Sequence, residues 1–113
     1  MHEAGIAQSI IDIAIDTAKK NSASKITLIA VKVGKMSAVD EASLRFAFDA
    51  LKAGTEAENA VFEYTEVPLK GKCLDCEAEE EFEGYFMNCP KCGSSKVSLI
   101  SGNELEVSYI EVE

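Results

Sequence analysis

The chain has 113 residues, room for one compact domain plus a small additional unit, and its apolar content of 47% is ordinary for a globular protein. A formal charge of −9 argues against the basic face that nucleic-acid-binding modules use to displace counterions, so neither DNA nor RNA is an expected partner. No apolar run reaches the roughly twenty residues of a membrane-spanning helix, no basic amphipathic segment suits a bilayer surface, and the start Met1-His2-Glu3 lacks the pattern of a secretion signal. These features lead to the expectation of a cytoplasmic protein without a membrane partner.

From Ile6 to Lys20, the residues Ile6, Ile10 and Ile13, with Ile11, Ala14, Ile15 and Ala18, recur at helical spacing, while Gln8, Asp12, Asp16, Lys19 and Lys20 supply a polar face. The spacing predicts an amphipathic helix that the cluster Asn21-Ser22-Ala23-Ser24 stops. Lys25 to Lys35 then reads as a strand buried on both faces, dominated by Ile26, Thr27, Ile29, Val31 and Val33. A second helix is predicted from Asp40 to about Gly54, with Leu44, Ala47, Phe48 and Leu51 as its buried stripe. The Asp40 carboxylate would accept hydrogen bonds from the first-turn N–H groups. Ala60 to Val67 alternates as a strand closed by Pro68. Beyond the cysteines, Val97 to Ile100 and Leu105 to Val112 read as strands around the turn Ser101-Gly102-Asn103-Glu104, the last returning to pair with the strands at 25–35 and 60–67.

All four cysteines form two CxxC pairs, Cys73-Leu74-Asp75-Cys76 and Cys89-Pro90-Lys91-Cys92, with twelve residues between them. Two such turns can aim four thiolates at one ion, the donor set of a closed tetrahedral zinc site. Disulfides belong to small secreted domains, and a redox-active CxxC is normally a single pair at a helix start, so a structural Zn(II) site is the expectation. A four-thiolate cage also accepts iron, and the turn Cys89-Pro90-Lys91-Cys92-Gly93 is similar to those of rubredoxins, so the residues admit both metals. Lys70, Lys72, Lys91 and Lys96 flank the cage and would offset its negative charge. Glu77, Glu79, Glu80, Glu81 and Glu83 between the pairs read as a solvated loop face.

The expected architecture is α+β: two helices packed on a small three-stranded sheet, with an inserted zinc-ribbon-like domain built on the four cysteines. Residues 1–69 and 101–113 would form one discontinuous domain and residues 70–100 the zinc-binding one, whose folding free energy would come mostly from the metal.

His2 is the only histidine. A terminal histidine usually faces water from a frayed chain end. Yet an α-amine, deprotonated backbone amides and an imidazole close small chelate rings around an ion that prefers four donors in a plane, a preference of Ni(II) and Cu(II).

A chain that opens Met1-His2-Glu3, continues with a long helix and a Val31-Lys32-Val33-Gly34 strand end, and later carries two CxxC pairs resembles, over essentially its full length, the HypA/HybF family of hydrogenase nickel-incorporation proteins. The resemblance implies a nickel metallochaperone, not an enzyme, that delivers transient Ni(II) to the large subunit of [NiFe] hydrogenase together with a HypB-type GTPase, and in some bacteria serves urease. It assigns nickel to the Met1 amine, the His2 amide and imidazole and the Glu3 amide, and structural zinc to Cys73, Cys76, Cys89 and Cys92. Glu3 could also act through its carboxylate. Asp40 aligns with an acidic position near the family's nickel site, beside the helix-cap role already given to it. Both a monomer and a homodimer are compatible with the sequence. The rival readings are a zinc-ribbon protein-interaction module without nickel, for which His2 would be dispensable, and an electron carrier with iron held by the four cysteines. With the thiolates occupied and no second histidine, nothing in the chain builds an open catalytic site.

Overall fold

The computed structural model describes residues 2–84 and 87–113. Helix α1 runs over Glu3–Lys20, strand β1 over Ile26–Gly34, helix α2 over Glu41–Leu51 and strand β2 over Val61–Val67. Strands β3 (Lys70–Cys73), β4 (Glu79–Glu81), β5 (Val97–Ser101) and β6 (Leu105–Val112) follow. Two three-stranded sheets result, one in the order β2-β1-β6 and one in the order β4-β3-β5. By its contacts the chain divides into a first unit of Met1–Lys32, Val39–Thr65 and Glu106–Glu113 and a second of Val33–Ala38 and Glu66–Leu105.

The first unit is the expected α+β core. The stripes of α1 bury Ala7, Ile10, Ile11, Ala14 and Ala18, and α2 buries Leu44 and Phe48. Phe48 packs on Phe62 of β2 with ring centroids 4.6 Å apart. Arg45 stacks 5.4 Å over the Phe62 ring and donates to the Phe62 carbonyl at 3.0 Å, which fastens α2 to the sheet edge.

Helix α1 begins three residues earlier than its apolar periodicity predicts. His2 is its N-cap, and its carbonyl already accepts from the Ile6 N–H at 3.2 Å. Glu3 carries no apolar signal, but a carboxylate in the first turn suits the positive end of the helix. Its Oε2 also accepts from the Asp40 N–H at 3.2 Å.

The second unit departs further from expectation. The acidic run is not simply a solvated loop, because Glu79–Glu81 forms β4 antiparallel to β3, in the register Lys70 opposite Glu81 and Lys72 opposite Glu79. The facing lysines offset a charge density that would otherwise keep the segment from pairing. As expected, β6 returns to the other sheet, where β1 lies between β6 and β2, while β5 pairs antiparallel with β3. The carbonyls of the connecting turn are used by another segment. Glu104 O accepts from Gly34 N–H at 2.6 Å and Gly102 O from Met36 N–H at 2.7 Å. Gly34 is required at this approach, since a Cβ there would overlap the Gly102 carbonyl group, while Gly102 itself sits at φ 115°.

Candidate metal centre

The first CxxC pair follows the end of a strand, where the chain turns tightly enough for an amide N–H to point back at sulfur. Cys73 ends β3, and the backbone N–H of Cys76 donates to its Sγ at 3.4 Å. Glu77, in the left-handed region at φ 65°, closes the first turn by donating its N–H to Cys73 O at 2.9 Å. The second turn repeats the device: Gly93, at φ 75°, donates to Cys89 O at 2.8 Å. Ser94 Oγ donates to the Asp75 carboxylate at 2.5 Å, and Leu74 N–H donates to Lys96 O at 2.8 Å, so side chain and backbone both tie the two turns together.

The four sulfurs lie within 4.8 Å of one another. Cys73 and Cys92 are 3.6 Å apart, and Cys76 and Cys89 are 3.5 Å apart. A disulfide would need about 2.05 Å, and all four cysteines are free. A tetrahedron with Zn–S bonds of about 2.3 Å has edges of about 3.8 Å, so the cluster has the size and donor chemistry of a zinc cage. It is the one group of at least three histidine, cysteine or acidic ligands with such geometry among the described residues.

Without metal, the four thiols divide the charge unevenly. The amide N–H of Cys76, aided by that of Asp75 and by neighbouring thiols, outweighs burial and holds Cys73 down at about 6. The amide of Cys92 likewise leads the forces that lower Cys89. At Cys92 the Ser94 amide pulls downward, but hydrogen bonding to Cys73, desolvation and the other two sulfurs together push the thiol up to about 12. At Cys76 the Ala78 amide lowers and Cys89 raises, with a net rise. A bound cation would reverse that rise by requiring all four thiolates.

The residues of the amino-terminal candidate site are arranged differently. His2 is exposed, and Met1 lies outside the described residues. Glu3 and Asp40 are brought together, but through the Glu3 carboxylate and the Asp40 backbone N–H. Asp40 does occupy the N-cap position of α2, with its carbonyl accepting from Leu44 N–H at 2.9 Å. Its carboxylate does not bond the first-turn amides as predicted; it accepts from the Ser43 hydroxyl at 2.7 Å instead. The bond from Asp40 N–H to Glu3 was missed in the sequence, where the apolar pattern starts the first helix only at Ile6 and leaves Glu3 outside it.

The model of a family described as hydrogenase/urease nickel incorporation, metallochaperone, hypA, matches residues 1–112. The chain belongs to the HypA family. Hydrogenase maturation factors HypA from Prosthecochloris aestuarii and Aquifex aeolicus are 41% and 39% identical to it, covering 100% of this chain in both cases and 100% and 98% of theirs. The solution structure of the Ni metallochaperone HypA from Helicobacter pylori superposes with a TM-score of 0.71 at 28% identity, over 99% of this chain and 97% of that one. A second HypA solution structure gives 0.74, also at 28% identity, over 100% and 97%. HypA proteins handle metal during the maturation of other enzymes and are not themselves catalysts. Among the described residues, no helix is long and apolar enough to cross a membrane.

Proposed function

We propose that this chain carries Ni(II) as cargo on its amino terminus and holds Zn(II) permanently in its cysteine cage, in the service of [NiFe] hydrogenase maturation. The match to the nickel-incorporation family over residues 1–112 is the observation that carries this reading. Residues 1–69 and 101–113 form the nickel-binding part and residues 70–100 the zinc-binding part. Nickel is held by the Met1 amine, the His2 amide and imidazole and the Glu3 amide, with Asp40 beside them.

Local geometry supports that ligand set. First-turn N–H groups have no intrahelical acceptor, so deprotonating the amides of His2 and Glu3 breaks no helical hydrogen bond. The positive end of α1 favours the negative charge created on them. The His2 carbonyl stays occupied by Ile6 N–H, keeping the cap in place while the imidazole is exposed. The Glu3 carboxylate, engaged by Asp40 N–H, positions the start of α1 against the start of α2.

Zinc, when bound, supplies a cross-link and charge neutralisation; Cys73, Cys76, Cys89 and Cys92 hold it with no open position for chemistry. An exposed terminal site and a closed cage suit opposite tasks, exchange and retention. A HypB-type GTPase and the large subunit of the hydrogenase are the partners of this transfer in the cytoplasm, and urease is an alternative client.

Nickel titration of the zinc-loaded protein beside its His2→Ala variant tests the reading. Wild type is expected to bind stoichiometrically with a visible d–d band of planar nitrogen coordination, and the variant to lose both without unfolding. Equal nickel binding by the two would overturn the assignment.

A further inference from the structure

The four sulfurs of the cage are not equivalent to solvent. The first cysteine of each pair is buried, Cys73 at 1% and Cys89 at 3% exposure. The second of each pair, Cys76 and Cys92, is exposed. Each exposed sulfur also faces a buried one from the other pair, Cys76 against Cys89 at 3.5 Å and Cys92 against Cys73 at 3.6 Å. Among thiolates, access selects which one an electrophile meets.

We infer that Cys76 and Cys92 are oxidation sites for small hydroperoxides, and that each is resolved by the buried cysteine it faces, Cys89 and Cys73 respectively. This goes beyond the carrier function and rests on the reading of the four cysteines as a zinc cage. With hydrogen peroxide, in the first step the exposed thiolate attacks one oxygen, the O–O bond breaks and hydroxide leaves, giving a sulfenic acid that keeps the attacked OH; the hydroxide takes up a proton from solvent. In the second step the facing thiolate attacks that sulfur, the S–O bond breaks and a second hydroxide departs. Two thiolates have then lost two electrons, and hydrogen peroxide has become two waters after protonation. The remaining sulfurs are half of a donor set and no longer retain the ion. Closure from about 3.5 Å to a bond of about 2.05 Å is a side-chain movement.

The test uses the full-length zinc-loaded chain, with zinc content measured first. It is treated with up to one equivalent of hydrogen peroxide, with and without a dimedone-type trap, while released zinc is followed with a chromogenic chelator. Peptide mass spectrometry then maps adducts and disulfides. The expected result is trap adducts on Cys76 and Cys92, cross-pair disulfides Cys76–Cys89 or Cys73–Cys92 without the trap, and zinc release in step with oxidation. Adducts on Cys73 and Cys89, or disulfides confined within each CxxC pair, would overturn the inference. Protein isolated without zinc would instead defeat the cage reading, an outcome visible before any peroxide is added.

Discussion

The two units fold on different terms. Among the described residues the first unit buries Ala7, Ile10, Ile11, Ala14, Ala18, Ile26, Ile29, Ala30, Val31, Leu44, Phe48, Ala57, Ala60 and Phe62, a continuous apolar core. The second buries only Val33, Leu69, Cys73 and Cys89 in that way, and two of those four are metal ligands. Its strands β4 and β5 keep alternate residues exposed, with none fully buried. Burial at about 25 cal/mol per Å² can sustain the first unit. The second has too little apolar surface to offset its ordering entropy, and a cross-linking ion makes up the difference.

Metal removal should separate the two most sharply. Treating the protein with a strong chelator, or substituting Cys89→Ser, is expected to collapse the amide resonances of residues 66–105 while those of α1 and α2 stay dispersed in heteronuclear NMR spectra. Simultaneous loss of both sets would show that the core depends on the metal as well. Acidification should act in the same direction. The metal-free thiols take up protons as pH falls, Cys73 only near 6, and each proton competes with zinc, so affinity should drop steeply on the acid side.

The converse perturbation is Phe48→Ala, which empties a fully buried site under Phe62. A cost of about 3–5 kcal/mol is expected in denaturant unfolding of the first unit, with one zinc per chain retained by elemental analysis. Zinc loss in this variant would erase the distinction between the units. Gly34→Ala targets the second unit through backbone overlap at Gly102 and should cost about 1–3 kcal/mol; thermal unfolding of the zinc-loaded chain measures it, and an unchanged midpoint would mean that the turn simply shifts. Tyr109→Phe should have the smallest effect. The Tyr109 hydroxyl donates to Glu63 at 3.1 Å, and that bond, with the negative charge of Glu63, raises its pKa. A raised folded pKa stabilises below the ordinary value of about 10 and is lost as pH rises through the folded one. Wild type and variant should therefore differ slightly at neutral pH and converge in strong alkali, as calorimetry would read.

The same contrast governs what could be read in advance. Helices α1 and α2 and strands β1, β2 and β6 announce themselves because an apolar core imposes periods of 3.6 and 2 on the residues that face it. The CxxC pairs were legible for a different reason, since four-thiolate coordination dictates residue type and spacing. Strand β4 was not legible: Glu79–Glu81 has neither period nor β-propensity, and its pairing depends on Lys70 and Lys72 from another strand. The parting of the strands flanking Gly102, by contrast, was legible, since the last strand is too long and apolar to belong only to a metal ribbon; the use of that turn's carbonyls was not, because they are claimed from residues 34 and 36, far away in sequence. At the amino terminus, chemistry singled out His2, whereas its structural place as the cap of α1 depends on a backbone bond that side-chain patterns do not encode.

That cap bears on how fast cargo could change hands. A limp tail extending to Ile6 would have to be stilled at every capture, at about 1–2 kcal/mol per residue in lost backbone freedom. With α1 already wound from Glu3, much of that cost is met during folding rather than at each encounter. On the proposed ligand set, the residence time of the ion is then set mainly by the chemistry of its own bonds and by reprotonation of two amides. An approaching partner could unload the ion without first unwinding the helix that presents it.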